Sequence, residues 1–103
     1  MKLKIDHNCL RLRLTDDDLR ELAAEGAIAE TTNIGGASLT YALEPGTGPA
    51  VTADLVDTRI NVVVPRELLE KWASGDEITI EASQPPLRIL IEKDLGRGRG
   101  RSS

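Results

Sequence analysis

KLKIDHNCLRLRL, residues 2–14, alternates charge with hydrocarbon on both sides of a short polar break. Lys2 and Lys4 interleave with Leu3 and Ile5, and Arg11 and Arg13 interleave with Leu10, Leu12 and Leu14. A period of two belongs to a strand with one buried face, because successive side chains of an extended chain point to opposite sides. A two-residue turn at His7 and Asn8 sorts the faces: Ile5 meets Leu10 and Leu3 meets Leu12 on the apolar side, while Lys4 meets Arg11 and Lys2 meets Arg13 on the basic side. The stretch predicts a β-hairpin.

Working outward, Thr15 stands where a helix N-cap belongs, and Asp16, Asp17 and Asp18 suit the positive end of a helix dipole. Leu19, Leu22 and Ala23 give that helix an inward stripe, and Gly26 ends it. Residues 28–34 and 38–44 flank Gly35 and Gly36 and predict a second hairpin. EPGTGPA, residues 44–50, then carries a linker over 45–50.

Beyond the linker the same grammar restarts. A shift of 50 places Leu3 on Ala53, Ile5 on Leu55, Leu10 on Ile60, Leu12 on Val62, Leu14 on Val64, Leu19 on Leu69, Leu22 on Trp72, Ala23 on Ala73 and Ile28 on Ile78. Thr15 falls on Pro65, a residue favoured at helix starts, so the second helix is PRELLEKWAS. SLTYALE at 38–44 matches PLRILIE at 86–92 with a shift of 48, so the loop SQPP is two residues shorter than its counterpart. The fold expected is α+β and mostly β: a small pseudo-two-fold barrel made of two ββαββ repeats, 1–44 and 51–94, each with one short helix. Half a barrel of this size cannot bury its own sheet face, whereas two halves leave no long free edge. Residues 1–94 are expected to be one domain, and GRGRGRSS at 96–103 lacks apolar anchors, so 95–103 is expected to be a disordered tail.

Composition restricts function. A chain of 103 residues with 40% hydrophobic and 29% charged residues builds one small core, from aliphatic side chains, since Trp72 and Tyr41 are its only aromatics. One cysteine, Cys9, makes no internal disulfide, and one Cys with one His falls short of a structural zinc set. No signal-peptide pattern and no membrane-spanning apolar run is present, so a cytoplasmic protein without membrane association is expected. The net charge of −4 argues against a surface wholly given to nucleic acid.

Two resemblances follow from particular residues. DTRINVVVPRELLEKWASGDEITIE, residues 57–81, resembles the hairpin, helix and Gly-Asp turn of the swapped-hairpin, AbrB-like proteins and their cradle-loop barrel kin, with Gly75 and Asp76 at the Gly-Asp box. The first half departs, offering Gly26 followed by Ala27. That resemblance implies two intertwined halves fused in one chain and, as in AbrB-like proteins, DNA binding. The whole chain also resembles a family of small bacterial proteins of unknown function through RLRLT (11–15), ETT (30–32), LTYALE (39–44), VP with Trp72 in the second helix, and ILIEKD (89–94). Relatives continue EKDF toward a cysteine, whereas this chain has EKDLGRGRGRSS. That resemblance implies no mechanism.

No catalytic, cofactor or metal set stands out. His7 and Cys9 lie two apart at a hairpin tip, a spacing that places them on one face without making a nucleophile and base. Asp16, Asp17 and Asp18 are accounted for by helix electrostatics, and Glu67 and Glu70 by solvated helix faces. Gly35, Gly36, Gly46 and Gly48 lack a phosphate-loop frame and mark turns. Trp72, on a stripe with Leu68 and Leu69, is expected in the core, although a lone Trp also suits a partner anchor.

One patch asks for an explanation. Lys2, Lys4, Arg11 and Arg13 share the outward hairpin face, where like charges directly opposed destabilise a sheet. The corresponding second-half positions are Thr52, Asp54, Asn61 and Val63, so the barrel does not require the stripe. Either neighbouring acids such as Glu30 or Glu44 neutralise it, or an anionic partner does. The expectations are, in order, a non-catalytic binding or interaction module, monomeric or homodimeric, with a protein or anionic partner; an AbrB-like nucleic-acid binder using Lys2, Lys4, Arg11 and Arg13; and an enzyme.

Overall fold

A computed structural model describes residues 1–94; the tail expected at 95–103 lies outside the described residues. In chain order the elements are β1 (Lys2–Asp6), β2 (Cys9–Leu14), α1 (Asp16–Glu25), β3 (Ile28–Ile34), β4 (Ala37–Gly46), β5 (Thr52–Val56), β6 (Arg59–Pro65), α2 (Arg66–Ser74), β7 (Thr79–Gln84) and β8 (Leu87–Lys93). The hairpin of residues 2–14 has the register its alternation demands, with Leu3 facing Leu12 and Ile5 facing Leu10. His7 in its turn and Asp57 in the β5–β6 turn both have φ of 55°, a left-handed conformation that costs a residue with a Cβ.

The strands form two four-stranded sheets, ordered β1-β2-β8-β7 and β3-β4-β6-β5. Each sheet therefore joins one hairpin from each half of the chain, through the parallel pairs β2·β8 and β4·β6. The two junctions coincide in register: Leu10 faces Ile89 as Ile60 faces Tyr41, and Leu12 faces Ile91 as Val62 faces Leu43. The result is a small, mostly β, barrel-like α+β fold.

Two details of the repeat differ from the reading of the sequence. Ile28 is buried and faces Leu43, but the residue that faces the equivalent Ile91 is Ile80, not Ile78. Ile78 is 47% exposed. The turn from α2 to β7, residues 75–78, is two residues longer than the turn from α1 to β3, residues 26–27, and this insertion moves the third strand along by two. The linker is also shorter than read, because β4 continues through Pro45 to Gly46, which pairs with Pro65.

Leu12, Leu14, Leu43, Val62, Val64, Ile89, Ile91 and Trp72 fill the space between the sheets with almost no exposure. The Trp72 indole N–H donates to the Ile78 carbonyl at 3.0 Å, so its one polar atom is satisfied in the core. At the N-terminus of α1, the Thr15 side chain accepts from the Asp18 N–H while the Asp18 carboxylate accepts from the Thr15 N–H. Gly26 ends the helix in the left-handed region at φ 84°.

Among the described residues, side chains rather than a backbone ladder join the two sheets. Where the first sheet ends at β1, the Met1 ammonium reaches Asp18 at 2.7 Å and Glu30 of β3 at 2.5 Å, and the Tyr41 hydroxyl donates to the Met1 carbonyl at 3.2 Å. Where it ends at β7, the Gln84 amide pairs with both backbone groups of Ala53 on β5, each at 2.9 Å. One amide side chain thus substitutes for a missing strand partner.

Candidate functional site

The helices α1 and α2 follow equivalent strands, β2 and β6, and they do not close on each other. Their facing residues include Ala23 and Ala73, equivalent positions with side chains too short to fill the gap between Leu19, Leu22 and Leu69. A groove of about 320 Å³ remains, ended by Gly26 and Pro45. Ala23, read from the sequence as part of the inward stripe, is exposed there. The volume stands at the lower edge of the roughly 300–1,000 Å³ typical of small-molecule sites.

The rim is polar on the α2 side only. Arg66 and Glu70, one turn apart, line the groove together with Ser74. Ser74 Oγ donates to the Glu70 carbonyl at 2.8 Å, so that proton is already engaged. Among the described residues, the Arg66 guanidinium and the Glu70 carboxylate have no ion pair or side-chain hydrogen bond. The equivalent residues of α1 are Asp16 and Arg20, and there Arg20 is bound by Asp17. Symmetry holds in the apolar floor and fails in the charges above it.

The basic hairpin face has a different character. Lys2 faces Arg13 and Lys4 faces Arg11, bringing the four cations of the sequence reading together on the outer side of the first sheet. Glu92 on β8 lies 3.7 Å from Arg11 Nε and 3.5 Å from Arg13. The acid beside the stripe is thus Glu92, delivered by the parallel β2·β8 pair; Glu30 is held by the Met1 ammonium. Arg11 Nε is buried without a hydrogen bond, and Lys2 and Lys4 have no ion pair among the described residues. A depression of about 80 Å³ separates Lys4, Asp6, Cys9 and Arg11, too small for more than a few water-sized groups. Cys9 is a half-buried free thiol, and His7 is an exposed turn residue.

Among the described residues no group of three or more His, Cys, Asp or Glu is placed to hold a metal ion, and no helix is long and apolar enough to cross a membrane. The groove was overlooked in the sequence because it is made by what Ala23 and Ala73 lack. The available signal was the recurrence of a small residue at the same place in both helical stripes.

Neither curated proteins nor solved structures provide a match to this chain. A model described as a family of unknown function, DUF7009, matches residues 1–96, which takes in both hairpins of each sheet, both helices and the groove between them. The chain belongs to that family of unknown function.

Proposed function

We propose that this protein is a small, non-catalytic binding module of the cytoplasm, and that its ligand site is the groove between α1 and α2. The observation that carries the reading is an apolar-floored cleft of about 320 Å³ left open between two helices whose Leu22, Leu69 and Trp72 are buried in the core. Its lining holds no His or Cys, and its one hydroxyl, on Ser74, is engaged by the backbone, which supports binding over nucleophilic chemistry. The coincident registers of the parallel pairs β2·β8 and β4·β6, where the two halves join, support their origin in a doubled unit. Titration with cyclohexanol, a neutral apolar probe, followed by amide chemical shifts tests the site. Shifts are expected at residues 19–26 and 66–74 and are expected to disappear in Ala73→Trp, which fills the cleft. Shifts centred on β1 and β2, or no saturable shift, would remove the reading.

AbrB-like nucleic-acid binding through Lys2, Lys4, Arg11 and Arg13 is the second reading, favoured by the exposure of Lys2 and Lys4, which have no ion pair among the described residues. Glu92 beside Arg11 and Arg13 weakens it. That reading calls for salt-sensitive retention on duplex DNA that is lost in Arg11→Glu with Arg13→Glu, and unchanged retention in the double variant would eliminate it.

A further inference from the structure

We infer that the groove between α1 and α2 takes a small zwitterion with an aliphatic body, the chemical class of a free branched-chain amino acid, held by Arg66 at its carboxylate and Glu70 at its ammonium. This rests on the groove being the ligand site and goes beyond it by naming the ligand class.

Three observations lead there. The floor, from Leu19, Leu22, Leu69 and the two alanines, accepts hydrocarbon and offers no buried polar partner. At about 320 Å³ the space suits a small molecule rather than a folded segment. The rim presents one cation and one anion, both unpaired among the described residues, on the same face of α2. Four residues span about 6 Å of helix axis at 1.5 Å per residue, so the two flexible side chains reach over one small polar head together. They are poor partners for each other, because a cation placed N-terminal to an anion at this spacing runs against the helix dipole. A ligand carrying an ammonium and a carboxylate on one carbon satisfies both residues at once. A plain fatty acid or an alkylamine satisfies one and places its charge beside a like charge.

The internal symmetry supplies a control. On α1 the equivalent charges are reversed in order, and Arg20 is occupied by Asp17, so that side of the cleft has no free cation to compete for the carboxylate. The ligand is therefore oriented by α2 alone, with its hydrocarbon across the floor toward α1.

The test compares L-leucine, 4-methylpentanoate and 3-methylbutylamine, which share the hydrocarbon and differ in charge, as competitors of cyclohexanol in the amide-shift titration. L-leucine is expected to bind at least about threefold more tightly than either singly charged analogue, and that margin is expected to disappear in both Arg66→Gln and Glu70→Gln. Equal competition by all three molecules would overturn the zwitterion while leaving the groove as a ligand site. Competition by 4-methylpentanoate alone would overturn it in favour of a simple carboxylate. Failure of both cyclohexanol and L-leucine to move residues 19–26 and 66–74 would remove the groove and the zwitterion together.

Discussion

Gly46 occupies a point where the chain has no room for a side chain. It ends β4 opposite Pro65, and a Cβ built there collides with the Val63 side chain on the neighbouring strand. Gly46→Ala is expected to destabilise by about 1–3 kcal/mol, the usual range for overpacking. Gly46→Ala combined with Val63→Ala should recover part of that loss, and additive losses in denaturant unfolding would refute the clash. Read as a linker glycine in the sequence, Gly46 is in fact a packing glycine, and nothing in GTGPA announces the neighbour because Val63 arrives from 17 residues away. A second residue-scale prediction concerns Met1 and Asp18. Burial alone pulls the Met1 ammonium down, but hydrogen bonds and charge from Asp18 and Glu30 prevail and hold it above its ordinary value. Burial pushes Asp18 up, yet its hydrogen bonds with the ammonium and with Thr15 hold it below the usual carboxylate range. The raised ammonium contributes stability at neutral pH that is lost as pH climbs through its folded value. The depressed carboxylate contributes stability that is lost as pH falls through its folded value. Thermal midpoints of the chain with a free Met1 amine should therefore fall toward both extremes, and Asp18→Asn should flatten both limbs. An unchanged profile in Asp18→Asn would show that the contact contributes nothing.

At the scale of elements, most of the architecture was legible because each element carries its own local signal. The alternation in KLKIDHNCLRLRL specified β1 and β2 with their register, and Thr15, Asp18 and Gly26 marked both ends of α1. The parallel pairs were not legible, since β2 and β8 are joined by no turn and their partnership leaves no mark in either strand alone. Everything that depends on that pair was missed with it, including Glu92 as the acid beside Arg11 and Arg13. Ile78 illustrates a further limit: an apolar residue at the expected spacing satisfied the pattern, while a two-residue insertion put Ile80 in its place. Glu92→Gln should increase retention on a cation-exchange matrix and make that retention fall more steeply with salt, because Arg11 and Arg13 would then face solvent unopposed. Equal elution of the variant and the parent chain would mean that Glu92 does not screen the stripe. The groove belongs to this scale too, as it arises between two helices whose individual stripes each look adequate for a core.

At the scale of the whole molecule, the same hairpin exchange that hid the parallel pairs builds each sheet from both segments of the chain, and cooperative unfolding as one unit is the expected outcome. No sheet lies within residues 1–46 or within 52–94, since each sheet draws two strands from each segment. Trp72, almost fully buried between strands from both segments, is positioned to report loss of the whole core in one fluorescence transition. The short connection between Gly46 and Thr52 is then a tether more than a spacer, keeping two mutually dependent pieces at high effective concentration. Severing the chain there should yield two polypeptides, each unstructured by circular dichroism when alone, that regain the native signal on mixing with a midpoint that depends on concentration. A segment that folds in isolation would contradict this interdependence. The same topology gives the protein a route to larger assemblies: with the tether cut short by a few residues, each front segment would be forced to find its complement in another molecule, and two chains would interlock without any change in their cores.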